Sequence, residues 1–192
     1  MKYLVLGAGG MAGHMIVNYL LEQGEDVEGI ERRNLSYCKS YNLDVTNFTK
    51  LNHIIDENQY DYIINCIGLL NQTAENNIDQ AVLLNSYLPH FLVKSTENLK
   101  TRIIQMSTDC VFSGKRGQYT ENDFPDGESY YDRTKALGEL NDSKNLTFRN
   151  SIIGPDINEN GIGLFNWFMK QEKEINGFEK SIWTGVTTLT LA

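Results

Sequence analysis

A four-residue apolar run at 3–6, YLVL, passes directly into LGAGGMAG and then into residues with helical spacing, where Met15, Ile16, Tyr19 and Leu20 share one face. Strand, glycine turn and helix in immediate succession open a βαβ unit. Gly7, Gly10 and Gly13 stand in G-x-x-G-x-x-G spacing. The first permits a tight turn, the second lets backbone approach a pyrophosphate, and the third lets helix and sheet pack closely. The helix opening at Met11 offers free N–H groups and a positive dipole end. The loop is therefore read as a dinucleotide site.

The rest of the chain keeps the alternation. Strand character recurs at 26–30, 41–43, 61–67, 102–106 and 146–148. Helical character occupies 11–22, 47–57 after a cap at Thr46 or Asn47, 77–99 with Pro89 inside it, and 131–140. This order builds an α/β fold, a doubly wound parallel sheet with helices on both faces. Ligands then bind beyond the carboxyl ends of the strands. At Gly154-Pro155 the alternation stops. An amphipathic helix is expected over 161–175, followed by an apolar end carrying Trp183, Val186, Leu189 and Leu191. That end has little left to pack on, which implies a partner surface, a second copy of the chain included, or a continuation. Residues 1–155 read as an NAD(P)-binding domain and 156–192 as the start of a further lobe.

With 192 residues, 41% hydrophobic and 22% charged, the chain can form one sizeable globular domain. A net charge of −8 argues against nucleic acid and anionic membrane as partners. No apolar run approaches the roughly 18 residues of a membrane span. The apolar start is too short for a secretion signal, so the cytoplasm is the expected location. Cys38, Cys66, Cys110, His14, His53 and His90 show no metal-ligand spacing, and no metal is expected.

Candidate ligand groups cluster at strand ends. Glu31 closes the second strand, where an acidic residue would hold the adenosine ribose hydroxyls of NAD. Arg32 and Arg33 follow at once and could hold a 2′-phosphate instead. These signals conflict; the reading favours NADPH, with NADH tolerated. Asp44-Val45, after the third strand, is placed to contact the adenine ring or is a simple loop pair. Ser107-Thr108-Asp109 ends the strand RIIQM, as a ligand crevice or as turn-forming hydroxyls. In YYDRTK, only Tyr131 lies four residues before Lys135, one helical turn away on the same face.

The order Gly7-x-x-Gly10-x-x-Gly13, Asn65-Cys66-Ile67-Gly68, Ser107-Thr108-Asp109 and Tyr131-x-x-x-Lys135 resembles the extended short-chain dehydrogenase/reductases. STDCVFSG and YTENDFPDGESYYDRTKALGE are similar to the dTDP-4-dehydrorhamnose reductases within them, over roughly residues 1–155. The resemblance implies a Rossmann fold with a partial, truncated carboxyl-terminal substrate lobe. It implies NAD(P)H-dependent reduction of the 4-keto group of a nucleotide-diphosphate sugar in surface-polysaccharide synthesis. Tyr131 would protonate the ketone oxygen, its phenol brought below its ordinary value of ~10 by the charge of Lys135. Lys135 would also bond the nicotinamide ribose, and Thr108 would donate to the ketone oxygen. The substrate would meet Thr108, Asp109, Cys110, Tyr131 and Ile153. The cofactor would extend past Cys66, Ile67 and Gly68 towards Asn85.

In this family an asparagine of that helix keeps a main-chain carbonyl free to hold a water near the lysine. Pro89 cannot donate to the carbonyl four residues back, that of Asn85. Pro89 therefore either leaves Asn85 open for such a water or is an ordinary kink. Two residues depart from the family pattern: Asp132 replaces the glycine after the tyrosine, and Cys110 replaces a tyrosine. Cys110 also lacks the carboxyl group that sugar-nucleotide dehydratases carry there, which disfavours dehydration. The alternatives to a reductase are a non-catalytic nucleotide-binding or regulatory module and a nucleotide-sugar epimerase.

Overall fold

The computed structural model describes residues 1–158, 161 and 163–192. β1 (Lys2–Leu6) leads through the glycine turn into α1 (Met11–Glu22), followed by β2 (Asp26–Glu31), β3 (Lys39–Asn42) and α2 (Phe48–Asn58). Asn47 caps α2, its side chain accepting from the Lys50 N–H. β4 (Tyr62–Asn65) precedes α3 (Asn71–Asn76), α4 (Ile78–Ala81), a π turn at Val82–Tyr87 and α5 (Leu88–Ser95). β5 (Arg102–Met106) runs into a 3-10 turn at Asp109–Val111, then α6 (Tyr130–Leu137) and β6 (Leu146–Phe148).

These strands form one parallel sheet ordered β3-β2-β1-β4-β5-β6. The order reverses between β1 and β4, which places a ligand crevice at their carboxyl ends. Side chains alternate across the sheet. Leu4 and Leu6 of β1 join Ile30, Ile63 and Ile103 under α2 and α5. Tyr3 and Val5 join Val27 and Ile64 under Ile16 and Val17 of α1.

The expected single helix over 77–99 is divided. Pro89 has no N–H for the Asn85 carbonyl, and its ring crowds that carbonyl in a regular helix. The π turn widens the backbone at this place. The expected helix over 161–175 shortens to α7 (Leu164–Met169); residue 162 lies outside the described residues. Leu164, Phe165, Trp167, Phe168 and Met169 are all exposed, so no packed face supports a longer helix. β7 (Ile152–Ile153) and β8 (Val186–Thr187) pair in a separate two-stranded sheet, and α8 (Thr188–Leu191) packs back on α1. Among the described residues, no helix is long and apolar enough to cross a membrane.

One carboxylate is embedded in the core near the amino end of the sheet. Glu28 is 2% exposed and accepts from Lys39, from the Tyr41 hydroxyl at 2.9 Å and from the Tyr60 hydroxyl at 2.5 Å. Burial pushes its carboxyl up, but these donors outweigh burial and hold it at about 2, below an ordinary 4.5. A lowered folded value stabilises the fold above the unfolded value and is lost as pH falls through the folded one. The melting temperature should therefore drop as pH falls from about 4.5 to about 2. Glu28→Gln should flatten that part of the profile; an unchanged acid slope in the variant would remove Glu28 from the account.

Candidate active site

Strand register brings the cofactor residues to one level. Leu6 pairs with both Ile30 and Asn65, so Gly7, Glu31 and Cys66 all emerge at the same edge. Gly7 has φ +73°, a left-handed conformation that side chains resist. Its N–H donates to the Ile30 carbonyl, and the Gly10 N–H donates back to the Gly7 carbonyl, both at 3.0 Å. A Cβ on Gly13 would stand 2.1 Å from the Gly7 oxygen, so only glycine lets α1 approach this closely.

The resulting cleft has a volume of about 490 Å³. Gly7, Gly10, Glu31, Arg32, Asp44, Val45, Cys66, Ile67 and Gly68, the residues the sequence offers for a cofactor, all line it. Glu31 accepts from the Gly9 N–H at 3.0 Å and the Arg32 N–H at 2.9 Å. Arg33 turns away and donates to the Gly9 carbonyl. The Thr46 hydroxyl and N–H hold the Asp44 carboxyl below its usual range. Asn65 steadies the Cys66–Gly68 turn, accepting from the Ile67 N–H while its amide donates to Gln105. Met11 and Gly13 form the first turn of α1, with the Met11 methyl packed at Gly163. A glycine cradle with no room for side chains, an open helix N-terminus and acidic and basic groups beyond it fit a dinucleotide.

Leu69, Thr73, Asn77, Gln80 and Leu84 also line the cleft, and sequence reasoning missed them. Thr73 lies in α3, whose polar NQTAEN carries no apolar periodicity, while Asn77, Gln80 and Leu84 lie in the stretch read as one helix, where periodicity alone does not show which residues turn to the cleft.

The catalytic candidates gather at the end of β5. Tyr131 is 8% exposed, whereas Tyr130 is 46% exposed, so the two neighbours separate as their helix positions require. α6 begins with a capping box: Asp132 N–H donates to Ser129 Oγ, and Asp132 Oδ2 accepts from Ser129 N–H at 3.0 Å. The aspartate that departs from the family's glycine thus fixes the first turn holding Tyr131. Glu75 adds a second tie, accepting from the Tyr131 N–H at 3.0 Å.

Burial pushes the Tyr131 phenol up to about 12, with the adjoining Thr108 hydroxyl pulling the other way. The expectation that Lys135 holds the phenol below its ordinary value is therefore corrected: loss of water around the ring dominates. The same effect pushes Lys135 down to about 8. Its Nζ donates to the Met106 carbonyl and lies 3.4 Å from where a Gly68 methyl would stand. The lysine therefore bridges the β5 end and the cleft wall. Thr108 Oγ1 accepts from the Cys110 N–H and donates to Asp109 at 3.3 Å. Ile153 sits in β7, beside the β8 strand.

Asn85 does not present itself as expected. Its carbonyl is pressed against Gly138, where a Cβ would stand 1.8 Å from the oxygen. The part sharing the Gly68 surface with Lys135 is its side-chain oxygen, 3.4 Å from the same methyl position. That oxygen accepts from the Leu69 N–H, and the amide donates to the Leu69 carbonyl and Thr134.

The chain is 32% identical over 143 residues to the probable low-salt glycan biosynthesis reductase Agl14 of Haloferax volcanii, covering 72% of this chain and 48% of that one. It is 28% identical over 140 residues to a dTDP-4-dehydrorhamnose reductase of Streptomyces griseus, covering 72% and 43%. The crystal structure of a dTDP-4-dehydrorhamnose reductase, an RfbD ortholog from Clostridium acetobutylicum, superposes with a TM-score of 0.82 at 26% identity. That match covers all of this chain and 67% of the other. The chain spans about half the length of the curated relatives it matches. Residues 1–153 match the family model described as the RmlD substrate binding domain, and the chain belongs to that family.

Proposed function

We propose that the chain carries the cofactor-binding and catalytic part of an NADPH-dependent reductase acting on the 4-keto group of a nucleotide-linked deoxy sugar, in surface-polysaccharide synthesis. The supporting observation is that Tyr131 and Thr108 adjoin while Lys135 reaches from their strand end to the wall of the cofactor cleft. The names of the glycan and dTDP-sugar reductases among its relatives point the same way.

NADPH, bound in the cleft, supplies the hydride. Tyr131 gives its phenolic proton to the ketone oxygen as charge develops there. A phenol at about 12 stays protonated at neutral pH and serves as the acid. The Lys135 charge supports the phenolate left behind, and Thr108 donates to the same oxygen after releasing Asp109. Arg32, in the cleft, meets the 2′-phosphate, while Glu31 lets NADH be accepted as well.

The test follows nicotinamide absorbance with dTDP- or UDP-linked 4-keto-6-deoxy sugars. Consumption of NADPH with formation of the 4-hydroxy sugar is expected. Cofactor binding without turnover would favour the non-catalytic module, and C4 inversion without net NADPH use would favour an epimerase. Arg32→Ala should raise the KM for NADPH about tenfold and leave that for NADH nearly unchanged. Equal effects on both would remove Arg32 from the 2′-phosphate site.

A further inference from the structure

A buried ion pair outside the catalytic trio joins four parts of the site. Glu139 follows α6 one turn after Lys135; its side chain is 2% exposed and that of Arg149, just beyond β6, 19%. Arg149 donates to both Glu139 oxygens at 2.8 Å, a fork-to-fork contact. Ser107, next to Thr108, donates its hydroxyl to the same carboxylate at 2.8 Å.

The other side of the arginine belongs to the loop at 112–129. Nη1 donates to the Glu121 carbonyl at 3.1 Å, and the guanidinium stands 5.0 Å from the centre of the Phe112 ring. Phe112 stacks on Tyr119 at 4.5 Å, and the Arg116 guanidinium lies over the Tyr119 ring at 4.7 Å. Asp126 accepts from the Ser113 N–H and hydroxyl, and Arg116 pairs with Asp123. The loop is closed on itself and fastened to the scaffold at Arg149. Its Gly127 N–H also donates to the Val111 carbonyl, beside the exposed Cys110.

We propose that Arg149 is a positioning residue for the sugar: through Glu139 and Ser107 it sets the Thr108 turn, and through Phe112 and Glu121 it holds the 112–129 loop over that turn. This rests on the reductase reading. A flat, forked guanidinium is needed, because one side must satisfy a carboxylate while its face meets a ring. Lysine keeps the charge but cannot do both.

The test compares Arg149→Lys, Arg149→Met and Phe112→Leu with the parent chain by kinetics, NADPH titration and amide hydrogen exchange. Arg149→Lys and Phe112→Leu should lower kcat/KM for the keto sugar about tenfold, through misplacement of reacting groups. NADPH affinity should stay within about twofold, since the cleft is untouched. Exchange should quicken at 107–129 and stay unchanged in β1 and β4. Arg149→Met, which strands a buried carboxylate, should lose more. Uniform quickening across the sheet, or an unaltered loop in both milder variants, would overturn the proposal. Failure of the parent chain to reduce any keto sugar would count against the reductase reading instead, and the exchange maps would still decide whether Arg149 holds the loop.

Discussion

Tyr131→Phe should lower the reduction rate by about a thousandfold, the range lost when a positioned general acid is removed. Tyr130→Phe, one residue away, should leave the rate within about twofold of the parent. The two substitutions remove the same atom from adjacent residues, but Tyr131 is buried beside Thr108 and Tyr130 is half exposed. NADPH affinity should survive both changes, because neither ring lines the cleft. A pH series on the parent and on Tyr130→Phe adds a check. Above about 8 Lys135 loses its proton in the free enzyme, so kcat/KM should fall there in both proteins. Equal losses from the two tyrosine variants would assign the chemistry elsewhere.

Gly138→Ala should be the most damaging single-methyl change. The added carbon would stand 1.8 Å from the Asn85 carbonyl oxygen and 3.3 Å from the Pro89 ring. Neither partner can yield easily, since Asn85 is fully buried and anchored to Leu69 and Thr134. The π turn and α6 would have to move apart. Overpacking of this kind costs about 3 kcal/mol, which in a chain of this size lowers the melting temperature by roughly 6–12 °C. Because α6 carries Tyr131 and Lys135, activity should fall further than stability alone accounts for. Calorimetry and kinetics on the variant decide; a melting point within a degree or so of the parent would show that the contact relaxes freely.

What the sequence shows and what it conceals follow from the range of the forces involved. Local patterns carried the strands and α1, whose bounds at Met11–Glu22 match their apolar spacing. They also carried the cleft, because Gly7 and Cys66 directly follow their strands, Glu31 ends one and Asp44 stands two residues beyond another, and register does the rest. The π turn escaped because Pro89 marks a disturbance without stating its form. α3 escaped because its residues are polar and its place depends on contacts with α6. The fate of the tyrosine proton escaped for a third reason. Spacing places Lys135 near Tyr131, but the burial that dominates the phenol is a property of the assembled pocket. Glu139 was visible in the ALGE that ends the reductase-like block, yet its partner Arg149 lies ten residues further on, across a strand.

The strand order also has a consequence in time. The first 68 residues contain four neighbouring strands, β3-β2-β1-β4, together with the glycine turn, Glu31, Asp44 and the Cys66–Gly68 turn. The groups that would do chemistry come later, on β5 and α6. During synthesis from the amino terminus, the nucleotide half of the sheet can pair and wind before the ribosome has made Thr108 or Tyr131. Binding energy from a dinucleotide would then stabilise that early half by mass action. A cofactor thought of as a reagent would act first as a folding template, for a chain whose helix bearing Tyr131 and Lys135 does not yet exist.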